Sequence, residues 1–167
     1  MKEGLEVIGQ FLKERFQKEL EGQDHKATGE LIDSINYEVK QTSSGYELLF
    51  FGADYGKFLE TGTRPHYVPI NALIKWIEDK GIATGEKEIK NFAFAIQRKI
   101  AQEGTPTSGS YKFSNNGRRK EWITFVASEN KAYIDAELLK LFGLEFTQFM
   151  GNTIKETNKQ MSNGTNS

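Results

Sequence analysis

The stretch with the densest set of reactive side chains is "DYGKFLETGTRPHYVPI", residues 54–70. It contains the carboxylate of Glu60 and the imidazole of His66, and both groups can transfer protons in catalysis. Its glycines could instead aim backbone amides at an anion such as phosphate. Its two prolines disfavour helix at the residues before them, which suits a stiff structural corner. The stretch therefore admits three interpretations: an active site, a phosphate cradle, or a corner that presents a surface to another chain.

The sequence shows neither the ligand spacing of a metal site nor the motif of a catalytic nucleophile. The chain has two histidines, His25 and His66, and no cysteine, and neither histidine has a second ligand at zinc-motif spacing. Serines and threonines lie in polar loops without a nucleophile elbow such as GxSxG. The glycine turns lack the GK[ST] or GxGxxG continuation of phosphate-binding loops. The residues therefore predict no catalytic residue, no cofactor and no metal.

Glu60 is the strongest single candidate for acid–base work. It lies among aromatic residues, and burial would raise the pKa of its carboxyl group. An ion pair with Arg64, or capping of loop amides, is the more economical role for this side chain. Catalysis by Glu60 is thus the less favoured interpretation.

A second chemical candidate is the segment "SYKFSNNGRRKEW", residues 110–122. Aromatic side chains next to cations are the usual means of holding single-stranded nucleic acid. The competing interpretation is a solvated loop that leads into a strand whose aromatic residues enter the core. The formal net charge of −1 favours the second, because it provides no general basic face. The cluster consists of Tyr111, Lys112, Phe113, Arg118, Arg119, Lys120 and Trp122.

The length and composition of the chain limit the class of protein. A chain of 167 residues, 12% of them aromatic, favours one folded domain with a genuine core. No apolar run approaches the ~20 residues that span a bilayer. The start of the chain, "MKEGLEVIGQ", lacks the apolar region of a signal peptide. These features predict a protein kept soluble in the cell that makes it, without a membrane partner.

Hydrophobic periodicity predicts an α+β fold with a small, mostly antiparallel sheet. A long amino-terminal helix, two middle helices and a long carboxy-terminal helix flank that sheet. One domain is expected over 1–157, with an extended polar loop at 104–120 and a disordered tail at 158–167. The predicted elements are helices over 2–21, 70–80, 86–103 and 130–157, a short helix over 53–60, a hairpin of strands near 35–40 and 46–52, and a strand in "EWITFVAS". The apolar run "YELLFFG" predicts a second strand buried on both faces.

The order of short motifs resembles that of a tailed-bacteriophage family, the neck and tail-completion proteins, also called head–tail connector or minor tail proteins. That family shows a TG-x-L-x-x-SI entry into a first strand, a Y-x-x-x-x-E-x-G-T segment after a strand pair, and a helix followed by G-T-x-P. The resemblance covers residues 1 to about 107. The matching residues are Thr28, Gly29, Leu31, Ser34 and Ile35, then Tyr55, Glu60, Gly62 and Thr63, then Gly104, Thr105 and Thr107.

The resemblance implies a non-enzymatic virion protein without catalytic or cofactor residues. It implies a ring of this chain, usually of six copies and in some virions of twelve. The ring would join the portal side of the capsid to the tail in the neck of the virion, after assembly in the bacterial host cytoplasm. Its partners would be adjacent connector and tail proteins, with genomic DNA passing without sequence-specific binding. Beyond Gly104 the chain departs from the family pattern, and we expect that region to supply an assembly loop with Thr105, Pro106, Tyr111, Phe113, Arg118, Arg119 and Lys120. The alternative function is a nucleic-acid-binding module that uses the 111–122 cluster.

Overall fold

The computed structural model describes residues 1–25 and 29–164, with side chains through residue 156. Its architecture is α+β, as predicted, with one two-stranded antiparallel sheet among the described residues. The elements are α1 (Lys2–Gly22), α2 (Glu30–Ser34), β1 (Asn36–Thr42), β2 (Gly45–Phe51), α3 (Gly56–Thr61), α4 (Ile70–Asp79), α5 (Glu86–Glu103), a 3-10 helix (Ser108–Phe113), α6 (Trp122–Glu129) and α7 (Lys131–Gly164).

The main core forms around α1. Its apolar residues recur every three or four positions, so they share one face, and that face is buried as predicted. This face packs on the hairpin, on α2, on α6 and on the start of α7. Gly9 brings the hairpin close, since a Cβ there would lie 2.5 Å from the Tyr37 ring. The buried α1 residues of this core are Leu5, Ile8, Leu12, Phe16 and Leu20.

The hairpin has the predicted antiparallel pairing, with Tyr37 opposite Phe50 and Val39 opposite Leu48. Successive side chains of a strand point to opposite faces, and these four turn toward α1. The prediction that β2 is buried on both faces is wrong, because Leu49 and Phe51 are exposed on the outer face. The cause is the layer arrangement: α1 covers one face of the sheet, and none of the described elements covers the other.

A second hydrophobic cluster holds α4 and α5 together as a helical hairpin. The apolar stripes of both helices bury against each other. The spacing also predicts that Phe92 faces inward, and this is wrong, because its side chain is exposed. This hairpin is linked to the elements around the main core by an ion pair of Lys80 with Asp24 at 2.8 Å, and by a bridge between Thr63 and Thr105. The buried residues of the cluster are Leu73, Ile77, Ala83, Ile89, Ala93 and Ile100.

The strand predicted in "EWITFVAS" is instead the helix α6. Trp122 and Val126 are one turn apart and both enter the main core, which satisfies the apolar pattern equally well. The helix begins at residues whose amides bond to Glu60, a contact from a distant segment that local pattern does not reveal.

The predicted carboxy-terminal helix is confirmed as α7. Its first half packs on the main core through Ile134, Leu138 and Leu141. Beyond Leu141 the helix leaves the core, and its backbone stays helical through Gly164, past residue 157 where the sequence predicts the domain to end. None of the helices in the described ranges is long and apolar enough to cross a membrane.

Candidate functional site

Two of the motif segments, 55–63 and 104–107, meet at a junction between Thr63 and Thr105, which we call the clasp. The Thr63 amide donates to the Thr105 carbonyl oxygen at 2.7 Å. In return, the Thr105 amide donates to the Thr63 hydroxyl oxygen at 3.0 Å. The two hydroxyl groups are hydrogen-bonded at 2.8 Å. Residues 42 positions apart are thereby fastened by three reciprocal bonds.

Each threonine of the clasp follows a glycine, and both glycines are required by geometry. Gly62 has φ of 73° and Gly104 has φ of 79°, values that L side chains rarely adopt. A Cβ on Gly62 would lie 2.5 Å from the Thr105 carbonyl oxygen, and one on Gly104 would overlap the Thr63 carbonyl oxygen. The Gly–Thr pairs of the two motifs therefore have one physical explanation, which is the close crossing of two backbones.

Glu60 caps α6. Its carboxylate accepts hydrogen bonds from the Ile123 amide at 2.6 Å, the Thr124 amide at 3.1 Å and the Thr124 hydroxyl at 2.5 Å. Its backbone carbonyl accepts from the Glu121 amide at 2.9 Å. A negative charge at a helix amino terminus satisfies otherwise unpaired amides and faces the positive end of the helix dipole. Of the roles predicted for Glu60, amide capping is the one that these contacts describe.

The TG-x-L-x-x-SI motif, residues 28–35, lies directly before the hairpin, and its described part includes the helix α2. Gly29 has φ of 89° at the start of α2, and Leu31 and Ile35 are buried in the main core. The Ser34 hydroxyl donates to the Leu31 carbonyl at 2.7 Å and accepts from the Ala53 amide at 2.8 Å. Thr28 lies outside the described residues.

Tyr55 lies at the edge of the corner, with an exposed ring. Burial of its hydroxyl group and the negative charge of Glu30 raise its pKa above the ordinary value. His66 is exposed, and its Nδ1–H donates to the Arg64 carbonyl at 2.8 Å, as expected of a hydrogen-bonded loop residue. His66 faces solvent and Tyr55 borders a cleft that His66 does not line, so these two residues of the opening stretch do not form a shared reactive centre.

The predicted assembly loop is tied to its own chain at its second half. Arg118 forms a bidentate ion pair with Glu19 of α1, at 2.8 Å and 2.9 Å. Asn116 donates to the same carboxylate at 3.1 Å. Burial alone raises the pKa of Glu19. The hydrogen bonds and positive charge of Arg118, together with hydrogen bonds from Gln23 and Asn116, outweigh this effect and bring that pKa below its ordinary value. Arg118 also lies over the Phe125 ring at 3.4 Å.

The next part of the loop closes over the end of α1. Arg119 donates to the Gln23 carbonyl at 2.6 Å, and His25 Nε2 lies 3.2 Å from the Arg119 carbonyl oxygen and 3.1 Å from Gln23 Oε1. Burial, followed by the nearby charge of Arg119, lowers the pKa of His25 to about 4. His25 and Arg119 border a cleft of about 370 Å³ between the two hydrophobic clusters, whose far wall includes Trp76 and Lys80.

The aromatic and basic cluster does not form one continuous surface. Trp122 is buried, and its indole donates to the Gly56 carbonyl at 3.0 Å. Arg118 and Arg119 are engaged as described above, and Lys120 pairs with Glu121 at 3.1 Å. Phe113 and Tyr111 remain exposed on the 3-10 helix. Pro106, next to the clasp, follows a cis peptide bond.

Sequence reasoning missed the role of Glu19 and Gln23 in holding the loop. Both side chains are buried, and Gln23 donates to Glu19 at 2.9 Å and to the Lys120 carbonyl at 3.0 Å. The signal was their position, since Glu19 and Gln23 continue the three- and four-residue spacing of the buried α1 face. A polar residue at a core position needs a partner, and the partner lies about a hundred residues later in the chain.

Within residues 1–25 and 29–164, no group of three or more histidine, aspartate or glutamate side chains is arranged to hold a metal ion. Comparison with protein-family models, with curated proteins and with solved structures finds no match to this chain.

Proposed function

We propose that this chain is a structural protein of a tailed-bacteriophage virion, and that it forms a ring at the head–tail junction. In this role it is not an enzyme and holds no cofactor. The ring joins portal-side proteins to the tail and surrounds the DNA channel. Six copies are the number that the family resemblance favours, and twelve the alternative.

The observation that carries the proposal is the clasp. Two of the motifs on which the family resemblance rests, 55–63 and 104–107, are in contact through Thr63 and Thr105. Glu60, the acidic residue of the same motif, caps a helix of its own chain. Motif residues that build a rigid corner are what a scaffold requires, whereas an enzyme would direct such residues toward a substrate.

The surfaces of the chain offer support of a second kind. A ring needs patches that meet different patches on the next copy, and these patches are exposed in the free subunit. The outer face of the hairpin, the 3-10 helix and the distal half of α7 all expose large apolar side chains. The 3-10 helix of the predicted assembly loop projects Phe113 and Tyr111, while the flanking Arg118 and Thr105 hold it in place.

The nucleic-acid alternative receives less support from the geometry. Trp122 is buried and Arg118 is neutralised by Glu19, so the stacking and cationic groups of residues 111–122 are not presented together. A formal net charge of −1 also suits a channel in which DNA slides, since a strongly basic lumen would retain phosphates. We expect the lumen of the ring not to be lined with lysine and arginine.

The test is inactivation of the reading frame for this chain in the phage that encodes it. We expect filled heads and separate tails in electron micrographs of the lysate, with infectivity restored by supplying the intact chain. Supplying a chain with Phe113→Ser and Tyr111→Ser should restore joining poorly, because the fold is retained but the projecting contact is lost. Infectious, fully joined particles without the chain would refute the proposal.

A further inference from the structure

The part of α7 from Leu139 to Ile154 exposes an apolar face that the rest of the described chain does not cover. At 3.6 residues per turn, six of its large apolar residues lie on one side of the helix. Their exposed fractions range from 41% to 72%, against less than 9% for the core residues of α1. The six are Leu139, Phe142, Phe146, Phe149, Met150 and Ile154, which we call the α7 face.

The α7 face is distinct from the side of the helix that packs on the core. Ile134, Leu138 and Leu141 contact α1 and α6, and Glu145 continues that side by pairing with the amino terminus of Met1 at 3.2 Å. The α7 face is rotated away from this line of contacts. Both sides of one helix are therefore apolar, and the fold of a single copy uses one of them.

The size of the face matches what a stable contact between proteins needs. An aromatic side chain buries about 150–250 Å² when it is fully covered. The three phenylalanines of the face, with its three other apolar side chains, expose roughly 600 Å² of apolar surface in a single copy. The largest apolar patch on an ordinary monomer is about 300–600 Å², and a standard interface buries about 800 Å² on each partner.

The charge pattern favours an uncharged, apolar occupant, and a second copy of the same helix supplies one. Between Leu141 and Ile154 the helix carries one charged residue, Glu145, which lies between the α7 face and the core-packing side and pairs with the amino terminus of Met1. A second copy of the same helix thus meets the face without like-charge repulsion, whereas a basic or acidic partner finds no complementary charge. Gly143 borders the face and has open space around it, which lets a second helix approach closely.

We infer that the α7 face is a self-association surface, on which α7 of one copy packs against α7 of a second copy. The contact is a helix–helix seam of interdigitating phenylalanine, leucine and methionine side chains. It goes beyond the proposed function. A surface that packs on the same surface of a second copy forms a two-fold dimer, whereas the contacts around a ring join different patches, so the seam is a contact additional to those of the ring.

The seam is testable by a single cysteine, because the natural chain has none. Gly143→Cys in the full chain places a thiol at the edge of the α7 face, and Gln148→Cys places one on another side of the same helix. Under mild oxidation we expect a covalent dimer on a non-reducing gel for Gly143→Cys and little or none for Gln148→Cys. A disulfide requires Cα atoms within about 7 Å, so the product reports direct α7–α7 contact.

Sedimentation of uncrosslinked protein provides the second measurement. Phe146→Glu should weaken self-association at least ~30-fold, as expected when a central interface aromatic is lost, while Gln148→Glu leaves it unchanged. Equal circular dichroism and equal thermal unfolding of the dissociated variants show that the fold is retained. A wild-type chain that is monomeric at about 100 µM, or that associates without the Gly143→Cys dimer, would overturn the inference. Binding of a monomeric wild type to lipid vesicles would assign the face to a membrane instead.

These outcomes are separable from those of the proposed function. If head–tail joining depends on the chain but the cysteine dimer does not form, the ring uses other surfaces and the seam is wrong. If the dimer forms but joining proceeds without the chain, the seam stands and the virion role is wrong.

Discussion

Glu60 shows how a candidate catalytic residue becomes a structural one when its contacts are known. Its carboxylate bonds with two amides and a hydroxyl group at the start of α6. The amide donors belong to a helix terminus, where a carboxylate completes bonds that the helix itself cannot make. Proton transfer to a substrate would break this cap.

We expect Glu60→Ala to lower the free energy of unfolding by about 2 kcal/mol, the upper range for loss of a helix cap. Urea denaturation followed by circular dichroism measures this change. Glu78→Ala, at an exposed glutamate of α4, is the matched control and should change stability by less than ~0.5 kcal/mol. Equal stability of the two variants would show that the cap contributes nothing.

His25 gives the fold a defined dependence on pH. The pKa of His25 falls from 6.5 to about 4 because of burial and of the positive charges of Arg119 and Lys80, against the opposing charge of Asp24. Below pH 6.5 the unfolded chain takes up a proton that the folded chain refuses, so stability is lost as pH falls from 6.5 toward 4. The maximum loss from this one group is about 3 kcal/mol, at 1.36 kcal/mol per pKa unit.

His25→Gln should reduce that loss, since an amide retains a donor at the position of Nε2 without titrating. Urea midpoints at pH 7 and pH 4.5 measure the difference. His66→Gln is the control, because His66 is exposed and is the other histidine of the chain. A wild-type pH dependence that survives His25→Gln unchanged would contradict the account of this residue.

At the scale of elements, the clasp holds the corner after α3 against the end of α5. Each of its two glycines, Gly62 and Gly104, is restricted both by a positive φ and by the close approach of the other backbone, and the two effects can be measured separately. Gly104 combines both, while Gly117 has φ of 77° and open space around it.

We expect Gly104→Ala to destabilise the fold by about 3 kcal/mol or more, from backbone strain plus overlap with the Thr63 carbonyl oxygen. Gly117→Ala should destabilise it by only about 1 kcal/mol, from backbone strain alone. Thermal unfolding of both variants gives the comparison. If they are equally stable, close approach of the two backbones is not what restricts Gly104.

The loop after the clasp is anchored by the ion pair between Arg118 and Glu19. Arg118→Met should lower the free energy of unfolding by roughly 3 kcal/mol, because it leaves a buried carboxylate without its cation. Lys112→Met, at the exposed 3-10 helix, should have little effect. Combining Arg118→Met with Glu19→Met should recover part of the stability, and a simple sum of the two losses would show that the residues are not coupled.

The elements also show where sequence reasoning succeeds and fails. Helices α1, α4, α5 and α7 follow from apolar spacing alone, since each has one long periodic stripe. The helix α6 was predicted as a strand because eight residues are too few to separate the two periods, and its cap comes from Glu60. The burial of β2 was overestimated because the number of layers over a sheet is a tertiary property. The anchors of the loop pair residues almost a hundred positions apart, and no local pattern encodes such a pairing.

At the scale of the whole molecule, the fold is two hydrophobic clusters joined at the clasp and at the Lys80–Asp24 pair. The exposed apolar residues are concentrated beyond the core, above all on the α7 face. A single copy therefore exposes apolar surface outside its core, as the proposed role of an assembly subunit requires. The periodicity of α7 was evident from sequence, but which of its sides meets the core was not.

The most direct test of the proposed virion role is immunogold electron microscopy of purified particles, with antibody raised against the full chain, from a phage whose genome carries its reading frame. The account predicts gold at the neck, between head and tail, and on rings released when particles are disrupted. Particles that lack the chain, or that carry gold elsewhere than the neck, would contradict it.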